Sequence, residues 1–228
     1  MVVWGAPVDR SDVLPNIISL GSNCRTRFHI ERVLRARYPD VSYPTFFWDW
    51  LDGGGAKGVI WCLKTDFALC ADDFTVHRPA PWTPFVPLHD PSGFVFHHDF
   101  GGASEDGETA RVRLSQALDA GLSKFRYLAA RTRSTLRSDR PLTCAYFGPL
   151  TPDDVQELSR CLAVDGQRRL LVNLLTPEDA TRAVSDDRLI TLFVDDLARG
   201  LPHPAWQGNH RDWDLALARL PLSPDYHR

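Results

Sequence analysis

The sequence is short of net charge, of lysine, of pairable cysteines and of long apolar runs. Lys+Arg number 26 against 29 Asp+Glu, a formal net charge of -3. A dedicated nucleic-acid binder carries a clear basic excess, so no nucleic-acid partner is expected. Only Lys57, Lys64 and Lys124 are lysines, and every other base is Arg. A GC-rich coding sequence accounts for that bias, with anion recognition by Arg forks as the functional alternative. The five cysteines are odd in number and include no C-x-x-C, which argues against a disulfide framework. Residues 1–5 lack the basic start of a secretory leader, so a reducing, cytoplasmic setting is expected. No apolar stretch approaches the ~20 residues that span a bilayer, so no membrane partner is expected. Neither a P-loop nor a G-x-G-x-x-G occurs. Gly53-Gly54-Gly55 follows no predicted strand and reads as a flexible turn, and no cofactor is implied.

What remains is a globular chain, with 43% hydrophobic and 24% charged residues. Asn16 to Leu20 reads as a buried strand ending at Gly21. Ser22 or Asn23 would cap the amphipathic helix that follows to Arg37, with Phe28, Ile30, Val33 and Leu34 as its apolar stripe and Arg on its other face. Residues 38–100 hold Trp48, Trp50, Trp61 and Trp82 and a dense run of Pro79, Pro81, Pro84, Pro87 and Pro91. Such proline density reads as a long structured loop with short strands, the last over 93–100. From Glu108 apolar residues recur at helical spacing to Leu136, with Gly121 as a possible break. Strands are predicted over 142–147, 170–175 and 189–194, and helices over 152–162, from Pro177, and over 212–220. Thr151 with Pro152 marks one helix start. The alternation predicts a single α/β domain over 1–228, an open mixed sheet with parallel strands flanked by helices, with the 38–100 segment as an insertion over the site.

The strongest chemical signal is strand-Gly21-Ser22-Asn23-Cys24-helix. A thiol at a helix N-terminus sits where the dipole and backbone N–H groups favour thiolate and can hold an oxyanion. Gly21 permits the sharp turn. Cys62, Cys70 and Cys161 fall in apolar patterns and are expected in the core, with Cys144 in a central strand. The base is sought in Phe96-His97-His98-Asp99-Phe100. Neighbouring strand residues face opposite ways, so His98 and Asp99 would not both face Cys24. Asp49, between Trp48 and Trp50, and Asn173 are the other polar residues in apolar settings.

These same segments carry a resemblance. Ile18-Ser19-Leu20-Gly21-Ser22-Asn23-Cys24, Trp48-Asp49-Trp50-Leu51, and Phe96-x-His98-Asp99-Phe100 before an Arg-rich helix resemble an uncharacterised bacterial family classed with papain-like cysteine peptidases. The shared order covers most of residues 16–150. The resemblance implies Cys24 as nucleophile and His98 as base, with the third member open between Asp49 and Asp99. It also implies a papain-like α+β sheet as the alternative fold. The chain departs from the usual Pro-Phe-Asp-Trp in that Pro44 is separated from Asp49 and Trp48 replaces Phe.

The expected activity is therefore a cysteine-dependent hydrolase or acyltransferase acting through a Cys24 acyl-enzyme. Its substrate would be an amide, ester or thioester carried on a small molecule, peptide or carrier protein. Gly21, Ser22, Asn23, Trp48, Trp50, His97 and His210 are candidate substrate contacts, and His210 is a competing base. Two alternatives belong to other classes. Residues 111–140 hold eight basic residues against two acidic and could dock an acidic or phosphate-bearing partner. His97 and Asp99 share one face of a regular strand and, with His203 or His210, could ligate a metal.

Overall fold

The computed structural model describes residues 16–21, 24–39, 43–163, 169–186, 189–194 and 210–220. Its main sheet is built from β1 (Asn16–Ser19), β6 (Leu142–Phe147), β7 (Arg169–Leu175) and β8 (Leu189–Phe193), in the order β1-β6-β7-β8. Every pairing in it is parallel. Its strands are continuous apolar runs, as expected where helices cover both faces. The helices are α1 (Cys24–Arg37), α2 (Gly55–Lys64), α3 (Gly107–Leu136), α4 (Pro152–Leu162) and α5 (His210–Ala218). The expected α/β architecture is therefore present. The mixed sheet resolves into two separate sheets, and the parallel main sheet departs from a papain-like one.

Tyr146 and Phe147 show how the helices are distributed. As neighbours in β6 they face opposite sides of the sheet. Phe147 packs against Trp213 of α5, and Trp213 stacks on His29 of α1 at 4.4 Å. The Tyr146 hydroxyl meets the Ala56 amide at the start of α2, and α2 is tied to α4 by Lys64–Glu157 at 2.5 Å. So the helix after β1 lies on one face and the helix after β6 on the other. The strand order does not reverse in this sheet, and in an open α/β sheet ligands bind beyond the carboxyl ends of the strands. Gly21 and Cys24 stand there.

The 38–100 segment is more regular than its prolines suggest. It contains α2 and four short strands, β2 (Asp52–Gly53), β3 (Phe74–His77), β4 (Val86–His89) and β5 (Phe94–Val95). They form an antiparallel sheet in the order β2-β5-β4-β3. Pro87 lies inside β4, in a sheet only four strands wide. The Gly53-Gly54-Gly55 run, read as a flexible turn, does follow a strand and opens α2 directly. Its glycines are needed for close packing. A Cβ on Gly53 would lie 2.8 Å from the Gly93 carbonyl oxygen, and one on Gly54 2.8 Å from the Phe94 ring.

α3 crosses this small sheet without interruption. Gly121 breaks nothing. It makes room for Phe100, whose ring would lie 2.4 Å from a Cβ there. Phe74, Phe96, Phe100 and Phe125 form one aromatic cluster at that point. The same hydrophobic core runs from this cluster to the main sheet. Cys62 and Cys144 are buried in it as expected. Cys70 is exposed and Cys161 half-buried, because both sit at the ends of their apolar patterns. No described helix is long and apolar enough to cross a membrane.

Candidate active site

Cys24 is the first residue of α1 and is half-buried. The chain reaches it through Gly21, whose φ of +85° a side chain would strain and whose Cβ would lie 3.0 Å from that of Trp48. The Gly21 amide donates to the Ser19 hydroxyl at 3.1 Å. Ser22 and Asn23 lie outside the described residues. Burial pushes the Cys24 thiol above its ordinary pKa, and the nearby Asp52 carboxylate pushes it further the same way. Its own amide and Arg25 pull in the opposite direction and are outweighed. The helix start alone therefore does not make a resting thiolate.

Asp52 is the residue that the sequence did not single out. It opens β2, and its Cα partner across the ladder is Val95 of β5. Two residues beyond Val95 comes His97, whose Nε2 stands 3.3 Å from Asp52 Oδ2. Both side chains are accessible, at 37% and 39% exposure. The antiparallel pairing thus brings an acid and a histidine together, and the charge of that acid is felt at Cys24. The sequence signal for Asp52 was faint: a carboxylate directly after an aromatic-Asp-Trp-Leu run, before three glycines.

The other candidates are placed elsewhere. The predicted 93–100 strand ends at Val95, and Phe100 takes a φ of +55°. Strand alternation therefore does not govern residues 97–100. His98 is exposed, and it lines a groove against α3. Asp99 accepts from Lys124 of α3 at 2.6 Å. His97 and Asp99 thus pair with different side chains, Asp52 and Lys124. Among the described residues no three His, Cys, Asp or Glu side chains gather to hold an ion. His203 lies outside the described residues.

Asp49 is fully buried. It accepts the Phe46 amide at 2.7 Å and faces Arg27 Nε of α1 at 3.0 Å. Burial pushes its carboxyl up to about 7, against the pull of Arg27. Arg27 is itself buried, lies over the Tyr43 ring at 4.1 Å and pairs with Glu31. An arginine expected on the solvent face of α1 is thus part of the core. Trp48 is fully buried against Gly21 and Phe67, so it supports the Cys24 turn from behind and is not a substrate contact. Trp50 is half-buried, with its ring 5.7 Å from the Arg27 guanidinium. Asn173 is buried in β7 beside Tyr146 and Thr191 in the register. His210 packs against Phe28 and His29 at the α1–α5 contact.

The Arg-rich region is partly neutralised by local carboxylates. Arg111 pairs with Glu108, Lys124 with Asp99, and Arg133 and Arg137 with Asp66. In comparisons with known proteins, no family model, no curated protein and no solved structure matches this chain.

Proposed function

We propose that this chain is a cysteine-dependent hydrolase or acyltransferase, with Cys24 as nucleophile, His97 as general base and Asp52 as the carboxylate that orients it. The observation that carries the reading is Asp52, which stands 3.3 Å from the His97 ring and whose charge raises the Cys24 thiol. With Nε2–H directed at Asp52, Nδ1 is the ring nitrogen left to accept a proton.

Because the thiol is held neutral, it needs a base at the moment of attack. As Cys24 sulfur bonds the carbonyl carbon, its proton passes to His97. The oxyanion that forms meets backbone N–H groups at the start of α1. The imidazolium, steadied by Asp52, then gives its proton to the leaving alcohol, amine or thiol as the tetrahedral intermediate collapses to a Cys24 acyl-enzyme. Water or an amine, deprotonated by His97, releases the acyl group and restores the thiol. The reading moves the base from His98 to its neighbour, since it is His97 whose ring pairs with Asp52.

An acetyl thioester tests this. After brief incubation and peptide mapping, acetyl is expected on Cys24. His97→Ala should abolish its formation and His98→Ala should retain it. Acetyl spread onto the exposed Cys70 at an equal rate, or loss of labelling with His98→Ala alone, would overturn the assignment.

A further inference from the structure

The groove between the 97–102 turn and α3 has a volume of about 330 Å³ and shares His97 with the Cys24–Asp52 centre. We infer that it is the subsite for the leaving or accepting portion of the substrate, and that this portion is a slender chain ending in an anion, phosphate or carboxylate. The inference rests on the acyl-transfer reading and adds the substrate class to it.

Shape is the first argument. Gly101, Gly102, Ala117, Ala120 and Gly121 supply much of the lining, so an unbranched chain fits where a bulky one does not. The groove is preformed. Phe100 is seated on Gly121, and a Cβ on Gly101 would lie 2.6 Å from Arg113 Cβ. The Gly102 amide donates to the Asp99 carbonyl at 3.0 Å, and the Asp99 carboxylate is tied to Lys124. Phe100 holds a left-handed φ of +55° within this turn.

Charge is the second argument. Asp99 is tucked in at 14% exposure and spends Oδ1 on Lys124, while the Lys124 side chain is 50% exposed. A ligand entering the groove therefore meets the ammonium and the His98 imidazole before it meets the carboxylate. Arg113 flanks the other end, where its guanidinium donates to the Ala103 carbonyl at 3.4 Å. The eleven residues from Arg113 to Lys124 set their backbone positions about 16 Å apart along α3. An anionic terminus at either end gains a charge-assisted contact.

Two alkylating probes test the inference on the intact protein. Both carry a bromoacetyl group on the same short alkyl chain, one ending in phosphate and one in a neutral hydroxyl. Alkylation joins Cys24 sulfur to the probe carbon, bromide leaves, and the thiol proton passes to His97 or solvent. The phosphate probe is expected to label Cys24 about tenfold faster, the factor that about 1.4 kcal/mol of contact provides. Lys124→Glu combined with Arg113→Glu should bring the ratio of the two rates to one or below. Ala120→Trp, a helix-surface change, should slow both chain-bearing probes relative to armless iodoacetamide. Equal rates for the two probes on the native protein, or a ratio that survives the double charge reversal, would overturn the subsite. Failure of Cys24 to react even with iodoacetamide would overturn the nucleophile reading and the subsite together.

Discussion

Replacing Arg27 by Leu should destabilise the protein by an amount that grows with pH. Arg27 and Asp49 are both buried, and Arg27 is the strongest influence holding the Asp49 carboxyl down against the effect of burial. In the native protein that carboxyl is raised from 3.8 to about 7. The folded state therefore holds the proton more tightly than the unfolded chain. Stability is fully present below about pH 4 and declines as pH rises toward 7, by up to about 4 kcal/mol at 1.36 kcal/mol per pH unit. Without Arg27 the carboxyl rises further, and the decline extends to higher pH. At about pH 5.5 Asp49 is largely protonated with or without Arg27, and the variant loses chiefly the packing over Tyr43 and the contact to Glu31, about 1 kcal/mol. At about pH 8.5 the variant must hold that carboxyl protonated or bury it unpaired, which adds up to about 2 kcal/mol to the loss. Urea unfolding at the two pH values measures both numbers. Equal losses at the two would refute the reasoning, because they would mean that Asp49 ionisation does not depend on Arg27. Combining Arg27→Leu with Asp49→Asn should remove the pH dependence and recover part of the loss.

Other consequences follow from the same geometry. Asp52→Asn removes the carboxylate that raises the Cys24 thiol, so iodoacetamide labelling of Cys24 at neutral pH should speed up while acetyl transfer from a thioester slows. A parallel change in both rates would contradict the two roles given to Asp52. Gly21→Ala demands a side chain at φ +85° and 3.0 Å from Trp48 Cβ, a loss of about 1–3 kcal/mol read by urea or thermal unfolding. Thr151→Ala removes half of the capping box that Thr151 and Asp154 form at the start of α4, costing about 1 kcal/mol in the same assay.

What the sequence made legible was local. The Thr151-Pro152 helix start, the Cys24 helix behind Gly21 and the apolar runs of β6, β7 and β8 all follow from chemistry within a few residues. Each appears in the structure within two residues of its expected bounds. The antiparallel sheet was not legible, since strands of two to four residues are too short for a period of two to emerge. α2 was hidden for a related reason, because its helical spacing lies in a segment whose prolines and glycines signal loop. Gly121 looked like a helix break because a glycine's neighbour in space, here Phe100, leaves no trace in the flanking residues.

The candidate site failed to be legible for the same physical reason. Cys24 was found because the features that mark it, a strand, a turn glycine and a helix start, are contiguous in the chain. His97 and Asp52 become partners only through the register Asp52↔Val95, set across more than forty residues. Choosing between His97 and His98 from sequence required knowing whether the strand continued, and it stops at Val95 because the turn is held by Phe100 on α3. Asp49 misled in the opposite direction. A carboxylate between two tryptophans does demand a partner, but the demand is met by Arg27, one turn into α1. That pairing ties the 46–51 turn to the base of α1, directly behind Gly21 through Trp48. Asp49 therefore acts on Cys24 by holding the helix that carries it. Its replacement by Asn should change stability first and alter thiol chemistry only as far as α1 shifts.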